Sequence, residues 1–192
     1  MKIVTEFDTV PEKQIRAYYT REFIRVYQAY SDVIADSALS NGTFISPPFS
    51  MTRMTWIKPS FLWMMYRSGW GEKDPGQKRI LAIDITHEGF QSIFNQGVLS
   101  SNHENNDTWK NEVRKSDVVI QWDPERDLQL SKLPFRTIQL GLRNQAVKSY
   151  VDKWITNITD ITDFSKNLKE LVDKRELSKA SSLLPIERVY KP

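Results

Sequence analysis

The hydrophobic and polar positions change period several times along the chain, and each change marks an element. Residues 14–30, QIRAYYTREFIRVYQAY, are rich in β-branched and aromatic side chains and predict two short strands, broken at Thr20-Arg21-Glu22. From Ser31 the spacing turns helical: Val33, Ile34, Ala38 and Leu39 share a face, Ser31 or Asp32 can cap the start, and Asn41-Gly42 ends it. Residues 43–50, TFISPPFS, read as a loop, because Pro47-Pro48 cannot join a central ladder. RMTWI at 53–57 predicts a short strand. Pro59 biases Lys58 toward an extended backbone, and Ser60 is positioned to cap a helix, FLWMMYRS, that stops at Gly69.

Further along, 71–79 is a polar loop, ILAIDIT at 80–86 a buried strand and HEGFQSIF at 87–94 a short helix. Residues 97–116, which include Asn102, His103, Asn105 and Asn106, read as one long polar loop. DVVIQW at 117–122 and FRTIQLGL at 135–142 are two more strands, with DPERDLQLSKLP as the loop between them. Ala146, Val147, Tyr150, Val151, Trp154, Ile155 and Ile158 then keep helical spacing, and a second helix is expected at about 164–180, capped near Asp163. The tail from Leu183 reads as irregular. The expectation is one α+β domain over 1–192, with a mixed core at about 14–142 and helices at about 143–180.

Composition narrows the chemistry more than it widens it. The chain has 192 residues, 40% hydrophobic and 27% charged, which is globular and long enough to bury a core without staples. Cysteine is absent, so a disulfide scaffold, a thiolate metal site and a cysteine nucleophile are excluded. Two histidines, His87 and His103, exclude a multi-histidine metal site, and neither has an obvious base partner. No apolar run reaches the ~18 residues of a membrane span, and the opening MKIVTEFDTVPEK lacks the apolar stretch of a signal peptide. The expectation is therefore a cytoplasmic protein without membrane or metal partners. The net charge is +3, but residues 53–79 alone carry Arg53, Lys58, Arg67, Lys73, Lys78 and Arg79 against Glu72 and Asp74. Such a local excess is either a solvated basic loop or an anion site.

That same stretch holds Trp56, Trp63 and Trp70, three of the six tryptophans, with Phe61 and Tyr66. Aromatic rings interleaved with cations suit a nucleotide, since rings stack on a base while cations and a helix N-terminus hold phosphate. Phe61, Leu62, Met64 and Met65 read instead as a core-facing stripe of the helix. Trp56, Lys58, Ser60, Tyr66 and Arg67 each carry a polar atom that needs a partner if buried. Asp123 and Glu125, in QWDPER, follow a strand, where catalytic groups often sit; the same residues also suit a simple turn. No nucleophile elbow and no glycine-rich phosphate loop is present.

The segments VYQAYSDVIADSALSNGTF, PPFSMTRMTWIKPSFLWMMYRSGW, VIQWDPERDLQL and FRTIQLGL resemble the family called domain of unknown function 4291, over about 170 residues. The order strand, helix, glycine stop, strand, Pro-Ser, helix, strand, strand also resembles an ADP-ribosyltransferase fold, of the DarT type that modifies DNA bases with NAD. That second resemblance implies a split β-sheet core with flanking helices and a helical C-terminal part. It implies that Gln28 in VYQAY stands where the family has a ribose-gripping histidine or arginine. Ser60 and Tyr66 in WIKPSFLWMMY stand in comparable places, and Gln139 in FRTIQLGL stands where the family has its catalytic glutamate. An amide can bind a ribose hydroxyl but carries no charge and cannot take a proton, so another carboxylate, Glu125 among them, has to supply the charge if the chemistry is kept.

The function this implies is an NAD- or nucleotide-binding transferase that modifies a nucleobase or protein, with NAD as cofactor. Gln139, Glu125 and Tyr66 are its candidate catalytic residues. Gln28, Tyr30, Arg53, Trp56, Lys58, Ser60 and Arg67 are its candidate ligand-binding residues. The alternative is a non-catalytic nucleic-acid-binding module, in which the aromatic and basic segment is an open stacking surface; a structural or regulatory partner protein is a third.

Overall fold

The computed structural model describes residues 12–101 and 106–192, so His103, Asn102 and Asn105 lie outside the described residues. In chain order the elements are β1 (Arg16–Ala17), β2 (Ile24–Tyr30), α1 (Asp32–Asn41), β3 (Thr55–Ile57), α2 (Phe61–Ser68), β4 (Arg79–Ile85), α3 (His87–Asn95), β5 (Gly97–Leu99), α4 (Asp107–Lys115), β6 (Val118–Arg126), β7 (Lys132–Leu142), α5 (Asn144–Ser149), β8 (Ile155–Asp160), α6 (Thr162–Asp173), α7 (Leu177–Leu183) and β9 (Arg188–Val189). The class is α+β.

Two main sheets form. One is β2-β4-β8, antiparallel throughout; the other is β3-β7-β6-β5, antiparallel except for the β5–β6 pair. They meet just past the end of β3, where the Tyr27 N–H donates to the Lys58 carbonyl at 2.7 Å. Pro59 follows, and Ser60 caps α2 by accepting from the Trp63 N–H at 3.1 Å. Gly69 then ends α2 in the left-handed conformation, at φ 57°. The short path from β3 through Lys58 to α2 therefore has little freedom.

The strand period of two decides what each face buries. Ile24 and Val26 of β2 and Leu81 and Ile83 of β4 join Ile138, Leu140 and Leu142 of β7 in the larger core. Tyr27, Ile80 and Ala82 point the other way, into a second cluster with Phe61, Met64 and Met65 of α2 and Leu168 of α6. The apolar stripe expected on α2 is thus a core stripe.

Several elements differ from the pattern-based expectation. The helix expected through Ile158 continues from α5 as a π turn, Tyr150–Trp154, and then gives way to β8, because Ile155–Asp160 can pair with the open edge of β4. The C-terminal part is therefore not purely helical. The second helix is two helices, parted where Arg175 takes a φ of 60°. The expected loop between β6 and β7 is a hairpin that continues both strands, turned by the Asp127 carboxylate, which accepts from the Gln129 and Ser131 N–H groups. The polar stretch after Gln96 supplies β5 and α4, the latter capped by Asn106. In the tail, Arg188–Val189 pairs with β1, and the Tyr190 hydroxyl lies 2.8 Å from His87 Nδ1. Among the described residues no helix is long and apolar enough to cross a membrane.

Candidate functional site

The β3-β7-β6-β5 sheet has one apolar face in the larger core and one polar face. Register makes the polar face: Gln121 of β6 sits opposite Gln139 of β7, and Trp56 of β3 opposite Gly141. Asp123 follows Gln121 on the same side of β6. Its carboxylate accepts from Gln139 Nε2 at 2.7 Å and from Gln121 Nε2 at 3.0 Å, so two amides clamp one acid. Gln121 and Gln139 both reach a cleft of about 780 Å³ at the junction of the two sheets.

The opposite walls come from β2, the loop before β3, and α2. Gln28 and Tyr30 line the cleft from β2. The Gln28 amide is committed to the protein: Nε2 donates to the Tyr30 hydroxyl at 2.9 Å and to the Trp56 carbonyl at 3.2 Å, and Oε1 accepts from the Tyr150 hydroxyl at 2.8 Å. Gln28 thereby fixes Tyr30 and β3 rather than presenting free hydrogens. Burial pushes the Tyr30 hydroxyl pKa up, so it stays protonated.

Three cations face the space. Arg53 comes from the loop, Arg67 from the exposed side of α2, and Lys58 from the extended residue after β3. Lys58 is only 5% exposed. Its ammonium donates to the Trp56 carbonyl at 3.2 Å and lies 5.7 Å from the Trp63 ring centre. Among the described residues no carboxylate lies within salt-bridge distance of Lys58, Arg53 or Arg67. Burial first, and repulsion from Arg67 second, bring the Lys58 pKa down to about 7, with Asp123 opposing them.

Seven of the expected residues, then, meet around one cleft: Gln28, Tyr30, Arg53, Trp56, Lys58, Arg67 and Gln139. The other three stand outside its lining. Ser60 is buried behind it, where its hydroxyl caps α2 and donates to Glu125 Oε1 at 2.8 Å. Glu125 is buried with it; burial pushes its pKa up against the bonds from the Arg126 N–H and Ser60. Tyr66 sits on the outer side of α2, with the Arg126 guanidinium 3.5 Å from its ring centre. The pattern-based reading missed Gln121 and Trp63 as cleft residues; it offered Asp123, with Glu125, either as a catalytic carboxylate at a strand end or as part of a turn, and the structure makes Asp123 the acid held by two amides. A polar residue in the middle of each of two apolar strands, Gln121 and Gln139, is the signal that could have found the clamp.

A model of the family described as Domain of unknown function (DUF4291) matches residues 14–190. The chain belongs to this family. No curated protein matches the sequence. Every cleft residue of this DUF4291 chain falls inside the matched span, from Gln28 to Gln139.

Proposed function

We propose that the cleft binds a nucleotide, NAD first among the candidates, and that the protein is an ADP-ribosyltransferase-like transferase acting on a nucleobase or protein. One observation carries this reading: Arg53, Lys58 and Arg67 converge on one concavity beside Trp56, and although Asp74 also lines it, no carboxylate among the described residues lies within salt-bridge distance of the three. Cations left unpaired around a cavity suit a polyphosphate, and a half-buried indole suits the ring it is attached to. The meeting of two separate sheets at Tyr27 and Lys58, with the cleft at that junction, supports the ADP-ribosyltransferase-like fold.

The residues present fit NAD, because the lining offers cations and an indole face, and the Asp123 carboxylate is held in place by two of the lining amides. Bound NAD would supply the ADP-ribosyl group and nicotinamide as its leaving group. Arg53, Arg67 and a protonated Lys58 hold phosphate oxygens. Trp56 stacks on a ring. Gln139 cannot carry negative charge, but it steadies Asp123, which can. Asp123 is thus a better source of the missing charge than Glu125, whose carboxylate is turned to Ser60 and the Arg126 N–H.

Titration calorimetry with NAD, ATP and GTP tests the reading, alongside thermal melting, since a ligand that binds only the folded chain raises its melting point by mass action. Binding of at least one nucleotide, lost in Arg67→Ala, is expected. Absence of any response at millimolar concentration would remove the proposal. The non-catalytic nucleic-acid module predicts binding to single-stranded RNA or DNA that collapses as salt rises. The concave form of the site and the burial of Trp63 favour a small ligand over a strand.

A further inference from the structure

A buried lysine without an acid partner has two uses: it binds an anion, or it sheds its proton and becomes a nucleophile. The setting of Lys58 serves the second use as well as the first. Its Nζ is held at 3.2 Å from the Trp56 carbonyl, so the amine is anchored at one end of the cleft. The Trp63 ring shields it on one side, and Arg67, one turn along α2, adds positive charge. The other charged group acting on it is Asp123 of β6, which opposes loss of the proton but lies beyond salt-bridge distance. The cleft that Lys58 lines, about 780 Å³, has the volume for a ring compound. Arg67 and Arg53 are available on the same walls for an anionic group.

We propose that Lys58 is a nucleophilic amine that captures the carbonyl group of an anionic aldehyde or ketone as an imine, with Arg67 and Arg53 holding the anion. The nitrogen lone pair of the neutral amine forms the new bond to the carbonyl carbon, while the C=O π electrons move to oxygen. One nitrogen proton passes to that oxygen, giving a carbinolamine. Loss of water, made from the hydroxyl and the second nitrogen proton, leaves the C=N bond. Nothing is oxidised or reduced, and no further reactant is needed. A pKa near 7 keeps a large share of Lys58 neutral at physiological pH, whereas an ordinary lysine is almost wholly protonated there. This inference goes beyond nucleotide binding and does not require it.

Pyridoxal 5′-phosphate is a suitable probe, because it joins an aldehyde, a ring and a phosphate. The full-length protein is incubated with an equimolar amount at pH 7.5, the imine is fixed with borohydride, and the labelled peptide is located by mass spectrometry. The label is expected on Lys58 in preference to any other single lysine by about tenfold or more. Pyridoxal without the phosphate is expected to label Lys58 several-fold less, and Arg67→Gln is expected to lower labelling by the phosphate form. Lys58→Arg, which keeps the charge, should abolish the preferred site while still melting cooperatively. Label spread evenly over surface lysines of the unsubstituted protein would overturn the proposal, and needs no variant to read. Equal labelling of Lys58 by pyridoxal would overturn the role given to the two arginines. A nucleotide titration that fails while Lys58 is labelled selectively would sink the nucleotide reading alone.

Discussion

The six-membered ring of Trp56 occupies the space above Gly141, its direct partner across β3 and β7. A Cβ on Gly141 would stand 3.0 Å from Trp56 Cζ2 and Cη2 and 2.6 Å from Met54 Sδ. The absence of a side chain at 141 is therefore what lets an indole lie in the cleft. Gly141→Ala is expected to displace Trp56 and to cost about 1–3 kcal/mol through overpacking. Nucleotide affinity should fall with it. Gly97→Ala is the comparison: Gly97 lies on β5, at the opposite edge of the same sheet from β3, and a Cβ there would run into the Ile120 side chain of the neighbouring β6. It should lower the melting point while leaving affinity per folded molecule unchanged. Equal loss of affinity in both would mean that Trp56 is not a ligand contact.

Lys58 gives the protein a distinctive response to alkali. Its folded pKa is about 7 against 10.5 for the free side chain, with burial as the main cause. Between those values the unfolded chain holds a proton that the folded chain has released, so stability rises as pH rises. Below about pH 7 both states are protonated and the cost of the buried charge is constant. From pH 7 to pH 9 this one group should add on the order of 2 kcal/mol to the unfolding free energy. Lys58→Met is expected to raise stability at pH 7 and to remove that part of the slope. Chemical denaturation of both proteins at pH 6, 7, 8 and 9 measures it; parallel pH dependences would refute it.

The strands and the capped helix around the site were legible because their signals are local. Ser60 before an apolar stripe and Gly69 after it specify α2, and RMTWI and ILAIDIT have the composition of buried strands. β8 was not legible. Its residues, Ile155-Thr156-Asn157-Ile158-Thr159-Asp160, space their two isoleucines by three, which mimics the end of a helix. Only the open edge of β4 makes them a strand. QWDPER was equally opaque, because a proline inside a strand argues against one. Pro124 is tolerated where β6 carries a bulge and has run past its pairing with β5. The Asp123 clamp was hidden for a further reason: it depends on Gln121 standing opposite Gln139, a register fixed by the hairpin turn and by the bulge after Pro124, where the pattern predicts only a loop.

A second pair of acids marks the other end of α2. The Glu187 carboxylate accepts from the Phe61 N–H at 2.7 Å, in the first turn of the helix, while Ser60 just before it serves Glu125. Burial pushes the Glu187 pKa well up and Glu125 adds to the shift, with the Phe61 N–H and Arg16 opposing it. A folded acid with a raised pKa keeps a proton that the unfolded chain has lost. Its favourable contribution is complete below about pH 4.5, the ordinary value, and declines as pH rises through the folded pKa. Glu187→Gln retains an acceptor for Phe61 and removes the charge. It is expected to be more stable than the parent at pH 7, with the difference shrinking toward zero near pH 4.5. A variant that is less stable at pH 7 would show that the charge at the helix N-terminus is worth more than its burial costs.

Tyr66 and Arg67 are neighbours on α2, and the structure assigns them to opposite surroundings. The Tyr66 ring covers the Arg126 guanidinium at 3.5 Å, and Arg126 is only 8% exposed, with Nη1 donating to the Leu130 carbonyl at 3.2 Å. The ring thus shields a buried cation, a contact worth about 0.5–2 kcal/mol. Arg67 instead lines the cleft, with no carboxylate within salt-bridge distance among the described residues. Tyr66→Ala should therefore lower stability by that amount and leave nucleotide affinity unchanged, and Tyr66→Phe should do neither. Arg67→Ala should hold stability within about 0.5 kcal/mol, as an exposed position does, and weaken nucleotide binding. Melting curves and calorimetric titrations on the three variants give the comparison. Loss of binding in Tyr66→Phe would extend the site around α2 to the Arg126 side, in keeping with the catalytic role that the ADP-ribosyltransferase resemblance implies for Tyr66.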